Sequence, residues 1–134
     1  MAYTFHVPYS DEAIILSEFV DGIDAQEMGQ WWLDMAANVQ AQQAPVVYLV
    51  IEVARSTVTF DTIFGMYRDG AVQHALATLE GTELVSMLVG NTAMARLAAT
   101  MTQQQNIANM PIFRTLEDAH EFIAVDLAKR ASAA

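Results

Sequence analysis

Cysteine is missing from the 134 residues, so neither a disulfide framework nor a thiolate metal centre can form, and a reducing compartment suits the chain. Basic side chains are scarce. Six Lys and Arg stand against sixteen Asp and Glu, and the formal net charge of −10 repels phosphate backbones and anionic bilayers, which argues against a nucleic-acid partner. Charge of either sign is thin, at 16 % of residues, while 54 % are hydrophobic. That balance excludes a disordered chain and leaves apolar surface over for contact with another chain. Only three prolines and six glycines interrupt the sequence, and no linker, internal repeat or low-complexity segment appears. Apolar runs are short, and none approaches the roughly 20 residues of a membrane span. The first residues, MAYTFHVPYSDE, lack the basic start and long apolar core of a signal peptide, so a cytoplasmic location is expected.

A chain of this length buries roughly two thirds of its unfolded surface around one core, so a single domain is expected over residues 1–128, with a frayed tail over 129–134. The most informative stretch is VVYLVIEV, Val46 to Val53, a nearly uninterrupted apolar run that reads as a strand buried on both faces. Before it, Tyr3 to Tyr9 alternates as an edge strand carrying Pro8, and Ala13 to Val20 forms a second strand with Ile14 and Leu16 opposite Ile15 and Phe19. Asp24 and Glu27 have capping-box spacing and open a helix in which Met28, Trp31, Trp32, Met35, Ala36 and Val39 share a stripe. At that spacing the two tryptophans are core residues. The helix should end near Gln43, ahead of Pro45.

After the central strand, Thr59 can cap a helix with Phe60, Ile63, Phe64 and Tyr67 on one face, and Gly70 should break it before a further stripe from Ala71 to Leu79. Leu84 to Val89 is the next strand, closed by Gly90. Asn91 or Thr92 caps a helix bearing Met94, Leu97, Ala98 and Met101, which the polar run from Thr102 ends. A short strand lies within Ile107 to Phe113. Thr115 and Asp118 start the last helix, whose Leu116, Ala119, Phe122, Ile123 and Leu127 point inward. Strands alternating with helices of this length require crossovers and build a mainly parallel sheet. The expected class is α/β, with a five-stranded mixed sheet in the order β-β-α-β-α-β-α-β-α.

This order, with EAIILSEFVDGID, VVYLVIEVARSTVTFDTI, LVSMLVGNTAMARLAATM and MPIFRTLEDAHEFI, resembles the STAS (SpoIIAA-like) family of sporulation anti-sigma-factor antagonists, and in particular its stand-alone, uncharacterised bacterial branch. The resemblance implies a non-catalytic regulatory module that binds protein partners. In phospho-regulated members an acidic residue ends the strand matched by Val46 to Val53, and an Asp-Ser-Ser-Gly segment opens the next helix, with a serine that accepts phosphate. Here Glu52 matches the acid and Asp61 and Thr62 stand where Asp-Ser would, which makes Thr62 the phosphoacceptor candidate. The Ser-Gly half of the motif is absent.

In open α/β sheets ligands settle beyond the carboxyl ends of the strands. The rim candidates are Glu52, Arg55, Ser56, Thr57, Thr59, Asp61, Asn91, Thr92, Arg114 and Thr115, whose hydroxyls, arginines and helix N–H groups suit a small anion. The plain alternative is that the hydroxyls cap helices and the arginines are solvated. His6, His74 and His120 fall on separate elements without paired ligand spacing, so no metal is expected, and no cofactor. There is no G-x-S-x-G elbow, P-loop or G-x-G-x-x-G, and no catalytic residue is assigned. A small-molecule enzyme using the loops around Glu52, Asp61 and Asn91 ranks last. The expected partner is a second copy of the chain, covering one face of the central strand, or another protein. A carrier of a small apolar or lipid-like ligand, lined by some of the eight methionines, is the competing reading.

Overall fold

The computed structural model describes residues 3–6, 13–20, 22–53, 70–90, 93–104 and 110–133, with the side chains of 93, 94, 98, 101 and 102 left aside. Its elements are β1 (Tyr3–His6), β2 (Ile14–Phe19), α1 (Ala25–Ala41), β3 (Val46–Glu52), α2 (Ala71–Thr78), β4 (Glu83–Val89), α3 (Ala93–Gln104), β5 (Ile112–Phe113) and α4 (Leu116–Ala133). The five strands lie in sequence order in one sheet. β1 runs antiparallel to β2, while β2, β3, β4 and β5 are parallel. This is the mixed, mainly parallel sheet that the alternation of strands and helices implies.

The central strand behaves as its composition demands. Val47, Tyr48, Leu49 and Val50 are each no more than 1 % exposed. Residues of alternate parity enter two separate cores, because successive side chains of a strand point to opposite faces. On one face, here face A, Val47, Leu49 and Ile51 join Ile15, Phe19 and Leu88 beneath α1, α2 and the start of α3. On face B, Tyr48 and Val50 join Ile14, Leu16, Met87 and Val89 beneath Ala119 and Ile123 of α4. Crossover helices gathered on one face are the result of right-handed connections between neighbouring parallel strands.

The second face corrects one expectation. A second copy was expected to cover either Val47, Leu49 and Ile51 or Val46, Tyr48 and Val50. Instead the chain covers the second set with its own last helix, leaving Tyr48 and Val50 buried. The tail is also different from its expected frayed form. α4 continues to Ala133 because Arg130 is engaged on two sides. Its Nε donates to Asp126 at 2.8 Å, one turn back, and its Nη1 donates to Glu83 Oε1 at 3.2 Å, with Nη2 donating to Glu83 Oε2.

The remaining boundaries follow local chemistry. Asp24 accepts from the Glu27 N–H at 2.8 Å and Glu27 returns a bond to the Asp24 N–H at 3.3 Å, completing the capping box that starts α1. Gln42 caps the other end, and Gln43 takes up the left-handed conformation (φ 51°) that lets the chain turn toward β3. Gly70 stands at the N-cap of α2. The helix expected from Thr59 lies outside the described residues. Among the described residues no helix is long and apolar enough to cross a membrane.

Among the buried hydroxyls of the described residues, those of Ser17 and Tyr48 each tie a helix to the sheet. Ser17, fully buried on β2, accepts from the Trp31 indole N–H at 2.8 Å, within an aromatic group in which Phe5 stacks on Trp31 at 6.0 Å and Trp32 meets Trp31 edge-on at 5.6 Å. The tryptophan pair is core, as its spacing implies. Tyr48 donates to Asp126 Oδ2 at 2.6 Å. The Tyr48 hydroxyl and Arg130 hold the Asp126 carboxyl below the usual carboxylate range, and Arg130 does the same to Glu83. Burial, then the Asp126 bond, pushes the Tyr48 phenol up, and burial followed by a 2.7 Å bond to Asp34 pushes up Tyr3.

Two outcomes are expected. Ser17→Ala strands the Trp31 N–H in the core and should cost about 1–3 kcal/mol in denaturant unfolding, although the substitution adds no bulk. Because Asp126 and Glu83 have depressed folded pKa values, their contribution is present above the unfolded carboxylate values of about 4 and lost as pH falls through the folded ones. The raised phenols contribute below their unfolded value of about 10 and lose that contribution as pH rises through the folded ones. Tyr48→Phe should therefore cost about 1–3 kcal/mol near neutrality, with the difference from the parent shrinking below pH 4. A constant difference from pH 3 to pH 8 would refute the assignment.

Candidate functional site

The parallel strands β2, β3 and β4 end together at Glu18–Phe19, Glu52 and Val89, and these ends form the rim beyond which the connecting segments turn. Register places Glu18 beside Glu52 on adjacent strands, both on the face B side and both half-buried. Like charges opposite one another on neighbouring strands repel. His6, on β1, approaches from the other side, with Nε2 3.5 Å from Glu18 Oε1. The rim over β2 and β3 is thus acidic, with an imidazole at its edge.

The β4–β5 side has different character. Val53 donates its N–H to the Val89 carbonyl at 2.9 Å, and Gly90 donates to the Phe113 carbonyl at 2.8 Å, extending the ladder by one bond past each strand end. Gly90 does so at φ 116°, a backbone state that side-chain-bearing residues rarely adopt, so a glycine is required where β4 leaves the sheet. Beyond β5, Arg114 and Thr115 are exposed. Thr115 Oγ accepts from the Asp118 N–H at 3.2 Å and so acts as the N-cap of α4, the plainer of its two expected roles. The strand spacing puts Arg114 roughly 10 Å from the β3 axis.

The described residues therefore bring Glu52 together with Glu18 and His6, and set Arg114 and Thr115 apart on the far side of β4. Arg55, Ser56, Thr57, Thr59, Asp61, Thr62, Asn91 and Thr92 lie outside the described residues. Glu18 and His6 were not among the rim candidates. No local signal marks them: it is parallel register that sets Glu18, the residue before the end of β2, level with Glu52, the last of β3. Among the described residues no group of three or more His, Cys, Asp or Glu side chains is placed to hold a metal ion. His6, His74 and His120 lie on β1, α2 and α4 respectively.

An open groove of about 340 Å³ runs between α1 and α2, lined by Gln26, Gln30, Leu33, Gly70, Ala71 and His74 among others. Its lining is mixed rather than oily. Met28, Met35 and Met87 are instead buried in the two cores, where they fill space against the sheet.

A scan against models of protein families finds no match to this chain, and a search of curated proteins finds none either. Solved structures do match. One is an uncharacterised protein of the DUF3478 family with a SpoIIAA-like fold from Shewanella loihica PV-4, at a TM-score of 0.57 and 10 % identity, covering 90 % of this chain and 93 % of that one. Another is the anti-sigma factor antagonist SpoIIAA in its unphosphorylated form, at a TM-score of 0.54 and 11 % identity, covering 90 % of this chain and 98 % of that one. Both chains are spanned almost from end to end, so the likeness concerns the whole domain rather than a shared βαβ fragment. The chain has the SpoIIAA-like, or STAS, fold.

Proposed function

We propose that this chain is a non-catalytic STAS-like regulatory module that docks onto another protein through the carboxyl-terminal rim of its parallel strands. The observation that carries the reading is the rim itself: three parallel strands end level with one another and present Glu18 and Glu52 side by side. On a chain with a net charge of −10, that edge suits a partner with a basic surface. The fold shared with an anti-sigma factor antagonist supports the same direction. A partner other than a second copy is favoured because α4 already covers the face of β3 that a second copy was expected to fill. A small anion is better suited to the Arg114 side of the rim than to the carboxylate side. The cysteine-free composition suits the cytoplasm as its compartment.

The test begins with light scattering, in which a monomer at micromolar concentration is expected and a stable dimer would restore the homodimer. Affinity capture from the source cells, with partners identified by mass spectrometry, should then yield a defined protein that Glu18→Lys with Glu52→Lys loses at least tenfold while circular dichroism is unchanged. Capture indifferent to those substitutions, or a lipid co-purifying in native mass spectrometry, would overturn the rim reading. Phosphate uptake from ATP and cell extract, abolished by Thr62→Ala, would add a switch to the same rim.

A further inference from the structure

The two faces of the sheet are covered by different means. α1 buries seven residues, Met28, Gly29, Trp31, Trp32, Met35, Ala36 and Val39, and is one of three helices on face A. α4 is one residue longer and buries only Ala119 and Ile123, with Leu116, Phe122 and Leu127 half-buried beside them. Among the described residues it is the one helix packed on face B. Its last two turns are held largely by polar groups. Asp126 accepts from Tyr48 of β3 and from Arg130, and Arg130 forks onto Glu83 at the start of β4.

That clasp lies at the margin of the interface. The side chains of Arg130 and Glu83 are 36 % and 56 % exposed, and Asp126 is 26 % exposed, so water replaces their bonds readily when they part. Leu116, Ala119, Phe122 and Ile123 of the first half of α4 pack on the apolar layer of face B. Local openings are drawn from segments with few buried apolar contacts and many solvent-facing bonds. We propose that α4 opens from face B as a unit, far short of global unfolding, and that the Tyr48–Asp126–Arg130–Glu83 clasp sets how often it opens. The open form bares a strip made of Ile14, Leu16, Tyr48, Val50, Met87 and Val89, while the face A core stays intact. The proposal is independent of any partner at the rim.

Native-state hydrogen exchange on the full chain decides it. The amides of residues 119–130 should exchange together, on the order of tenfold or more faster than those of Val47 to Ile51. Tyr48→Phe should speed exchange in α4 by about tenfold, the size expected for losing one bond to a charged group, and Glu83→Gln by about two- to fivefold, as for an exposed ion pair, while the denaturant dependence of α4 exchange stays well below that of β3. Raising NaCl from 0.1 to 1 M shortens the screening length from about 10 to 3 Å and should speed α4 exchange more in the parent than in Glu83→Gln, which keeps only the Arg130–Asp126 pair. Equal rates in α4 and β3 of the parent, an equally steep denaturant dependence in both segments, or variants that leave α4 exchange unchanged, would overturn the proposal. Glu83 is exposed, so its variant folds and decides the matter even if Tyr48→Phe does not.

Discussion

The molecule is built around β3, which is enclosed on all sides while α4 is seated on face B. Parallel neighbours satisfy its backbone along both edges, and two separate apolar layers bury its side chains above and below. A strand in that position has no tolerance for polar atoms without partners, and it contains one, the Tyr48 hydroxyl. The partner is supplied by α4. Burial of a phenol in the central strand therefore dictates that a carboxylate arrive over it, and Asp126 does so from 78 residues away in the chain. The apolar demand for a cover on face B and the polar demand of Tyr48 are met by the same helix.

The other face repeats the arrangement with different chemistry. Ser17 is the polar interruption in β2, and the Trp31 indole N–H is the donor that meets it. Tyr3 extends from β1 to Asp34, just past the middle of α1, so the antiparallel edge strand is tied to the first crossover helix as well as to β2. Gln40 then reaches from α1 to the Thr78 carbonyl at the end of α2, at 2.8 Å. Apolar area supplies most of the driving force, but it is non-directional. These few bonds have direction, and they determine how far each helix is slid along the sheet.

Much of this was legible before any coordinates. Period-2 and period-3.6 patterns placed every described element, since β3 is too apolar and short to be anything but a buried strand and α1 shows both a capping box and a stripe. What was not legible were pairings across long separations. Tyr48 is one residue in an apolar run, and Arg130 one base in an alanine-rich stretch that looked ready to fray. Only the register of β3 with β4 and the path of α4 bring them to Asp126 and Glu83. The pairing of Glu18 with Glu52 was hidden for the same reason: each is an ordinary strand-end acid until parallel register sets them side by side. Thr115 shows the reverse case. Its local spacing to Asp118 was sufficient to identify a helix cap, and a cap is what it forms.

The strands at the two margins of the sheet have four residues in β1 and two in β5, against seven in each of β3 and β4. An unpaired strand edge is a template on which further chains can polymerise, and its hazard grows with length and flatness. The described margins offer a newcomer only a few backbone groups, and Pro111, immediately ahead of β5, has no N–H to give. For a polypeptide this oily and this sparsely charged, short margins are a defence against amyloid-like stacking that surface charge alone would not provide.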